Sequence, residues 1–459
     1  MKLLLAYYGD DFTGSTDVME ALQWAGPRTV LFLAPPTGEQ LARFENLRAF
    51  GVAGWSRTMS VDEMETELRP VFEGLRESGA PIVHYKICST FDSSPEVGNI
   101  GKALELGREV FGNHPVPVLV GAPVLGRYTV FGNLYARSGL DTEPYRLDRH
   151  PTMRQHPITP MDEADLRRVL QGQSRLSTAL FDVLRLEDEN PEARLDELLS
   201  LNPAALVFDV LRPAHLATIG PLIERMQPAS APLFAIGSSG MEYALTAGWE
   251  KSGRIASLRS HQGGRPEFAA VEQLLVMTGS CSPVNERQID WALRNGFVGL
   301  ALNPARLIDP ETSEAEIAET IRKGLELAGK GASVILHSSR GPEDPRVTST
   351  LAQYRKMGFS DLDLKLKNGR TLGPKLGRIL KGMLEGRHFA RAVVAGGDTS
   401  GYVARELGIV ALEAIAPVAP GSPLCRMHAP GALDGMEIIF KGGQVGLKEI
   451  YETILKGTN

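Results

Sequence analysis

The sequence has little cysteine and no long hydrophobic run. Its three cysteines, Cys88, Cys281 and Cys425, are too few and too widely separated for a disulfide framework or a four-cysteine zinc site, which indicates a reducing compartment. No segment approaches the roughly 20 consecutive apolar residues that span a bilayer, and the apolar opening is too short for a signal peptide. We therefore expect a cytoplasmic protein without a membrane partner.

The chain also lacks an excess of positive charge. Its 49 basic and 55 acidic residues give a net charge of −6, without the basic surplus typical of nucleic-acid-binding proteins. We expect no nucleic-acid partner. With 459 residues, 43% of them hydrophobic, the composition is that of an ordinary globular protein with material for two or three domains. A monomer and a homo-oligomer both stay open.

Three common catalytic signatures are missing as well. The nine histidines include no pair at the His-x-x-x-His spacing of a helix-borne metal site, so no metal ligand can be assigned. The motif Gly-x-x-x-x-Gly-Lys-Ser/Thr is absent, which excludes a Walker-type P-loop. No credible Gly-x-Gly-x-x-Gly follows the first predicted strand, and this absence disfavours a dinucleotide-dependent oxidoreductase.

Short apolar runs alternate with segments in which apolar residues recur at helical spacing. The runs do not alternate strictly with polar residues, so they predict strands buried on both faces and mostly parallel sheets covered by helices. The predicted fold class is α/β. The predicted strands are Leu3–Tyr8, Thr29–Leu33, Ile82–Lys86, Val116–Val120, Ala205–Phe208, Leu233–Ile236, Gln273–Met277, Ser333–His337, Ala392–Ala395 and Glu437–Lys441.

A polar, glycine-rich stretch at Trp249–Pro266 predicts a domain boundary. We expect an N-terminal domain over residues 1–250, a linker over 251–266 and a C-terminal domain over 267–459. The proline-rich stretch Asp141–Pro160 predicts a lid or an arm within the first domain.

Two acidic residues, Asp10 and Asp11, follow the first predicted strand and precede a helix. In open α/β sheets, ligands bind at the carboxyl ends of the strands. Carboxylates there can accept hydrogen bonds from sugar hydroxyls, hold Mg²⁺ or supply a general base. The plainer alternative is a helix cap, in which Thr13 or Ser15 satisfies free N–H groups at the start of the helix.

A second polar group, Lys86, Ser89 and Thr90, closes another predicted strand. A lysine beside two hydroxyls suits an anion or a polyol. The alternative is a helix start capped at residues 93–94, which leaves Lys86 unexplained. Arg127 also follows a predicted strand and can bind a carboxylate through its forked guanidinium, although a lone arginine is more often part of a surface ion pair.

Three glycine- or serine-rich loops follow predicted strands in the second half of the chain: Thr278–Ser282, His337–Gly341 and Ala395–Gly401. Glycine lets the backbone approach a phosphate, and the first N–H groups of a helix favour anions. A single loop is explained by an ordinary turn, but three in one domain favour nucleotide binding. Asp398 can then orient Mg²⁺ or accept a hydroxyl proton. The loop Lys441–Gly446 either closes over the nucleotide or merely turns the chain.

In this order, the motifs resemble the four-carbon acid sugar kinase family. The resemblance covers essentially the whole chain and is carried by Asp10–Asp17, Gly279–Pro283, Gly396–Gly401 and Lys441–Gly446. It implies two α/β domains, of which the first binds an acid sugar and the second binds ATP. It further implies an active-site cleft between them, where phosphate passes to the terminal hydroxyl of the sugar acid.

Carried over by motif, the resemblance implies two sets of site residues. The substrate set is Asp10, Asp11, Thr13, Lys86, Ser89 and Thr90, to which we add Arg127. The ATP set is Ser280, Ser282, Gly396, Gly397, Asp398, Thr399, Ser400, Gly401 and Gly443. The implied cofactors are ATP and Mg²⁺. We expect Asp398 and Asp10 to be catalytic, with Asp398 the first choice for the base or the metal-orienting residue.

One segment departs from the family pattern. The family has an aspartate between the positions of Lys86 and Ser89, followed by a short Thr-Leu-Arg-Gly-Asn run. Here Cys88 replaces the acid and Phe91–Val97 intervenes, so an arginine expected near the substrate is missing. We hypothesise that Arg127 or Lys86 holds the substrate carboxylate instead.

The predicted function is therefore an ATP- and Mg²⁺-dependent kinase for a small sugar acid. The candidate substrates are 3-oxo-tetronate, threonate, erythronate and a branched oxo acid such as 3-oxo-isoapionate. The alternatives are a non-catalytic two-domain metabolite sensor and, less favoured, an NAD-dependent dehydrogenase. Release of ADP across a panel of sugar acids separates the kinase from the sensor, and absorbance of reduced nicotinamide identifies the dehydrogenase.

Overall fold

The computed structural model describes residues 2–138, 142–156, 158–256 and 266–458, without the side chains of residues 361, 362, 365–367 and 398. The predicted linker over residues 251–266 falls mostly on residues 257–265, which lie outside this description. The strands are β1 Leu5–Gly9, β2 Thr29–Phe32, β3 Ala49–Ala53, β4 Ile82–Lys86, β5 Val116–Leu119, β6 Arg127–Val130, β7 Asn133–Arg137, β8 Pro144–Arg146, β9 Thr178–Phe181, β10 Ala205–Phe208, β11 Leu233–Gly237, β12 Leu274–Thr278, β13 Val298–Ala301, β14 Val334–His337, β15 Arg391–Ala395, β16 Ala411–Ala419, β17 Ser422–His428 and β18 Glu437–Lys441.

Helices connect most of these strands. They are α1 Phe12–Ala25, α2 Gly38–Ala42, α3 Val61–Glu77, α4 Ile100–Phe111, α5 Leu166–Gln173, α6 Val183–Leu186, α7 Pro191–Ser200, α8 Pro213–Arg225, α9 Gly240–Lys251, α10 Pro283–Arg294, α11 Pro304–Ile308, α12 Ser313–Gly329, α13 Pro345–Lys356, α14 Asp361–Gly386, α15 Gly397–Glu406 and α16 Ile450–Lys456. No helix within the described residues is long and apolar enough to cross a membrane.

All ten predicted strands are present, and their ends differ from the predicted ones by at most two residues. The sequence analysis missed others, among them β3, whose apolar run is interrupted by Gly51. The glycine is required there because a Cβ at position 51 would lie 2.0 Å from Cζ of Tyr7. A glycine inside a short run weakens the strand signal, although here it makes room for the ring of Tyr7.

The chain divides into two units, and the first comprises residues 1–30 and 34–261. Its sheet has the order β3-β1-β4-β11-β5-β10-β9, and every pair in this order is parallel. From β1 the chain continues to β3 on one side and then to β4 on the other. The carboxyl ends of β1 and β4 therefore flank a topological switch point, which is where such sheets bind ligands.

A small antiparallel sheet, β6-β7-β8, also belongs to the first unit. Its third strand lies within the proline-rich stretch that predicts a lid or an arm. Arg127 opens this sheet as the first residue of β6.

The second unit comprises residues 31–33 and 262–459. Its sheet is parallel in the order β13-β14-β12-β15-β18, whereas β16 and β17 continue it in antiparallel fashion. The prediction of a mostly parallel α/β fold is confirmed, with the β16–β17 hairpin as its exception. From β12 the chain continues to β14 on one side and later to β15 on the other, so a second switch point lies between β12 and β15. Helices α10 and α16 pack on one face, where Val276, Ile289, Val393 and Ile439 share a core.

Candidate active site

At the switch point of the first unit, one arginine binds two adjacent carboxylates. Arg57 donates to Asp10 through Nε (3.0 Å to Oδ2) and Nη2 (2.6 Å to Oδ1). It also donates to Asp11 through Nη1 (3.0 Å to Oδ2) and Nη2 (2.9 Å to Oδ1). The turn after β3 places Arg57 here, and its backbone N–H donates to the carbonyl oxygen of Asp10 over 3.0 Å. The result is a charged cluster at the carboxyl end of β1.

Asp11 is also the N-cap of α1. Its Oδ1 accepts a hydrogen bond from the backbone N–H of Gly14 over 2.8 Å, and its Oδ2 accepts one from the hydroxyl of Thr13 over 2.9 Å. The expectation that Thr13 or Ser15 caps this helix is wrong, because Asp11 is the residue whose side chain reaches the free N–H. The side chain of Asp11 therefore accepts four hydrogen bonds, whereas that of Asp10 accepts two from the described residues, both from Arg57. An ionised carboxylate has about four acceptor sites, so Asp10 retains more acceptor capacity.

The pKa values of the two carboxyl groups are shifted in opposite directions. Burial raises the pKa of Asp10 and outweighs the attraction of Arg57. Burial also acts to raise the pKa of Asp11, but Arg57, Lys86 and the bonds from Thr13 and Gly14 together hold it below its usual value. Adjacent titratable groups whose pKa values are pushed apart are typical of acid–base sites.

Lys86, the last residue of β4, lies beneath this cluster. Its side chain is almost completely buried, and Nζ is 3.8 Å from Oδ2 of Asp17 on α1. Burial raises the pKa of Asp17, while Lys86 acts to lower it. This contact explains why a lysine ends an apolar strand, because Lys86 neutralises a buried carboxylate beside the switch point.

The segment after β4 forms a local polar network. The hydroxyl of Thr90 donates to Oδ1 of Asp92 over 2.6 Å and lies 2.9 Å from Sγ of Cys88. Burial raises the pKa of Cys88 to about 11, so this residue is a neutral thiol where the family pattern has a carboxylate. The expected helix start at residues 93–94 is wrong, because α4 begins at Ile100 with Asn99 as its cap. Ser89 is half-buried in the same segment.

Arg127 has no carboxylate partner among the described residues. Its Nη1 donates to the carbonyl oxygens of Leu125 (2.9 Å) and Arg137 (3.2 Å), and its Nε is buried without an acceptor in the described part of the chain. Burial lowers the pKa of Arg127, while the negative charge of Asp92 acts to raise it. Arg127 therefore lies within electrostatic reach of the segment that departs from the family pattern.

At the switch point of the second unit, the predicted loops meet closely. Cβ atoms at Gly279 and Gly443 would lie 2.2 Å from Oγ1 of Thr399 and 2.1 Å from Oγ of Ser280. Only glycine permits these approaches. The hydroxyl of Ser282 donates to the carbonyl oxygen of Gly443 over 2.5 Å. The structure thus brings four members of the predicted ATP set to one edge of the sheet, namely Ser280, Ser282, Thr399 and Gly443.

Ser282 and Gly396 begin the two helices that flank this switch point. Ser282 caps α10 by accepting a hydrogen bond from the N–H of Asn285 over 3.1 Å. Gly396 has φ of +132° and directly precedes α15, which begins at Gly397. Gly397 and Gly401 lie in the first turns of α15, and the hydroxyl of Ser400 donates to the carbonyl oxygen of Gly396 over 2.8 Å. The side chain of Asp398 lies outside the described residues.

The sequence analysis missed Arg57. An arginine expected near the substrate is missing from the segment after β4, whereas the turn after β3 places Arg57 against the predicted substrate residues Asp10 and Asp11. The signal was the sequence Gly54-Trp55-Ser56-Arg57 directly after an apolar run, and it went unused because β3 was not predicted. Asp17 is a second residue that was not predicted to belong to the site. Helix α1 places it beside Lys86.

Two family models match the chain. A model described as a sugar-binding N-terminal domain matches residues 5–245, and one described as a nucleotide-binding C-terminal domain matches residues 275–450. Together they account for most of the chain and coincide with the two switch-point regions described above.

Curated relatives extend over nearly the full length. A 3-oxo-isoapionate kinase from Paraburkholderia graminis is 44% identical over 99% of this chain and 94% of its own length. A 3-oxo-tetronate kinase from Pseudomonas fluorescens is 30% identical over 98% of this chain and 96% of its own length.

Solved structures share the fold. A Salmonella typhimurium protein superposes with a TM-score of 0.76 at 23% identity, covering 98% of both chains. A Haemophilus influenzae protein gives 0.68 at 21% identity, covering 97% of this chain and 98% of its own. At this level of identity the likeness concerns the fold alone.

Proposed function

The chain belongs to the four-carbon acid sugar kinase family and is a sugar-acid kinase, and we propose that its substrate is 3-oxo-isoapionate, which it phosphorylates at a terminal hydroxyl with ATP. The 44% identity to a 3-oxo-isoapionate kinase supports this choice over 3-oxo-tetronate, whose kinases are about 25–30% identical. The carboxylate pair held by Arg57 at the end of β1 is the observation that carries the chemistry. A sensor and a dehydrogenase are not favoured.

We assign the acid sugar to the first unit, residues 1–250 in the predicted division. Asp10 and Thr13 would receive the hydroxyls at the end of β1, with Asp11, Lys86, Ser89 and Thr90 beside them. Asp10 is our choice for the general base, because its ionised form has acceptor sites left after Arg57 is bound. Asp11 would help to orient the sugar acid that accepts the phosphoryl group, since four hydrogen bonds hold the side chain of Asp11 fixed.

We assign the nucleotide to the second unit, residues 267–459 in the predicted division. Ser280, Ser282, Gly443 and the segment Gly396–Gly401 would receive it, because glycines at close-packed loops and the first turns of α10 and α15 offer backbone N–H groups to phosphates. The role of Asp398 as base or metal-orienting residue stays a prediction from the sequence.

Mg²⁺ is the expected companion of ATP. No cluster of three or more acidic, histidine or cysteine side chains that could hold a metal occurs in the described part of the chain. This fits a cation that usually keeps several waters and binds one or two carboxylates together with the phosphates. When bound, Mg²⁺ neutralises charge on the phosphoryl group.

The substrate proposal is tested by measuring ADP release with 3-oxo-isoapionate, 3-oxo-tetronate, threonate and erythronate at equal concentrations. We expect kcat/KM for 3-oxo-isoapionate to exceed that for 3-oxo-tetronate by about tenfold or more, the discrimination that one additional group in a fitted pocket provides. A higher kcat/KM for 3-oxo-tetronate would contradict the proposal, and no ADP release with any acid would overturn the substrate class.

Replacing Arg127 by alanine is expected to raise the KM for the sugar acid about 10- to 100-fold, because a charge-assisted bond to the substrate carboxylate is lost. Arg127 is favoured over Lys86 for this role, since Lys86 faces Asp17 whereas Arg127 has no carboxylate partner among the described residues. Steady-state kinetics with each substrate varied in turn provide the measurement, and the KM for ATP should change less than about twofold.

The matched control is Arg146→Ala in the same small sheet. Arg146 is engaged with Asp148 at the surface, so its loss should leave both KM values unchanged. An unchanged KM for the sugar acid in Arg127→Ala would exclude Arg127 as the carboxylate-binding residue.

A further inference from the structure

A lysine is buried at the edge of the second unit's sheet, and the described part of the chain offers no acceptor for its charge. Lys441, the last residue of β18, is completely buried. Among the residues that the structure describes, no group accepts a hydrogen bond from its Nζ. Nζ faces the ring of Tyr451 on α16, whose centroid is 5.8 Å away. An ammonium group in such surroundings is unfavourable unless an anion pairs with it.

The position of Lys441 relates it to the loops of the switch point. Its carbonyl oxygen accepts a hydrogen bond from the N–H of Gly396 over 2.9 Å, and Gly442 and Gly443 follow it directly. Lys441 pairs with Ala395, which in turn pairs with Thr278. Directly paired residues of parallel strands point to the same face, so these side chains form one row at the carboxyl edge.

The polar groups next to this row are neutral and already engaged with each other. Nδ2 of Asn285 donates to Oγ1 of Thr278 over 2.8 Å and to the carbonyl oxygen of Ser280 over 3.0 Å. The hydroxyl of Tyr451 donates to Oδ1 of Asn285 over 3.0 Å. The network fixes the start of α10 and leaves the charge of Lys441 uncompensated.

Within the described part of the chain, charged side chains on the elements around β18, which include Arg405 and Glu406 on α15, do not compensate it either. The others are Glu286, Arg287, Asp290 and Arg294 on α10, Glu452 and Lys456 on α16, Arg391 on β15, Arg426 on β17 and Glu437 on β18 itself. None of them is a cause of the shift in the pKa of Lys441, which burial alone lowers to about 8. Asp290 pairs with Arg340, and Glu437 pairs with Arg391 at the opposite edge of the sheet.

We propose that Lys441 is a positioning residue for the phosphates of the bound nucleotide, which it attracts from beneath the Gly442–Gly443 segment. This inference rests on the proposed function, which assigns the nucleotide to these loops. A phosphate that arrives there supplies the missing negative charge, and the attraction is strong because the surroundings of the ammonium exclude water. Lys441 thereby favours nucleotides with several phosphates and fixes their place relative to the start of α15.

The test is calorimetric binding of ATP to the full-length protein, without a sugar acid, at pH 7.0 and pH 9.5. We expect Lys441→Met to weaken ATP binding about 30-fold or more at pH 7.0, as the loss of one partner of a desolvated charge pair does. Lys441→Arg should retain most of the affinity at both pH values, because its charge persists.

The pH dependence of ATP binding by the wild-type protein is a measurement that a merely structural role of Lys441 would not affect. An ammonium with a pKa of about 8 is charged below that pH and neutral above it, so the affinity for ATP should fall about tenfold between pH 7.0 and 9.5. Lys441→Met should lose this pH dependence. If Lys441→Met does not fold, the pH dependence of the wild type against that of Lys441→Arg decides the question.

Arg391→Met is the matched control. Arg391 is a buried cation of the same sheet, but it lies at the opposite edge and is paired with Glu437, so its loss should destabilise the fold without changing the affinity for ATP or its pH dependence. Unchanged ATP affinity in Lys441→Met, or a retained pH dependence in that variant, would overturn the role of Lys441 alone. A wild-type protein that binds no ATP would instead refute the proposed nucleotide site.

Discussion

Replacing Asp10 by asparagine is expected to lower kcat about 1,000-fold, the contribution of a well-placed general base. The amide cannot accept the hydroxyl proton, although it has nearly the same size and still fits beside Arg57. Because burial raises the pKa of Asp10, the wild-type kcat should decline as the pH falls below that raised pKa and should be constant above it. ADP release measured between pH 4 and 9 tests both expectations.

Asp11→Asn is the natural comparison for this variant. Asp11 holds the start of α1 and orients Thr13, so its replacement should raise the KM for the sugar acid and lower kcat less than Asp10→Asn does. Calorimetric affinity for ATP should stay within about twofold of the wild type in both variants, because the nucleotide is assigned to the other unit. A greater loss of kcat in Asp11→Asn would move the base to Asp11.

Replacing Arg57 by methionine is expected to reduce kcat/KM for the sugar acid about 100-fold or more at pH 7, the effect of removing one preorganised charged donor. Two adjacent carboxylates would then share a buried site without their cation, so the pKa of one of them should rise by about two units. The acid limb of the pH–rate profile should move towards alkaline pH by a similar amount, and activity should partly return at pH 9.

The same variant should also be less stable. Breaking a buried ion pair costs about 3–5 kcal/mol, and the partial exposure of the Arg57 side chain, 21%, reduces the expected loss to about 2–3 kcal/mol. Urea unfolding followed by circular dichroism measures this change. Arg69→Met on α3 is the control, since Arg69 pairs with Glu65 and Glu109 at the surface and its loss should change neither stability nor activity appreciably. An unmoved pH profile in Arg57→Met would show that Arg57 does not control the carboxylate pair.

The sequence by itself determined the fold class and many of the candidate site residues. Ten strands were predicted correctly from the sequence because buried parallel strands are continuous apolar runs, a local property, whereas others such as β3 were missed. The polar residues that follow those runs, such as Asp10 after β1 and Ser280 after β12, were also correctly predicted to lie at the carboxyl edge of a sheet. The order of motifs identified the family, because each loop keeps its residues together within a few positions of the chain.

Only the tertiary structure decided how these residues are charged and paired. Arg57 is 47 residues from Asp10 in sequence, and it reaches the cluster because β3 lies next to β1 in the sheet. In the sequence, Lys441 looks like an ordinary residue before a glycine turn, yet in the fold it is completely buried and finds no acceptor among the residues that the structure describes. Strand order and burial depend on packing between distant segments, and those interactions set the protonation states on which phosphoryl transfer depends.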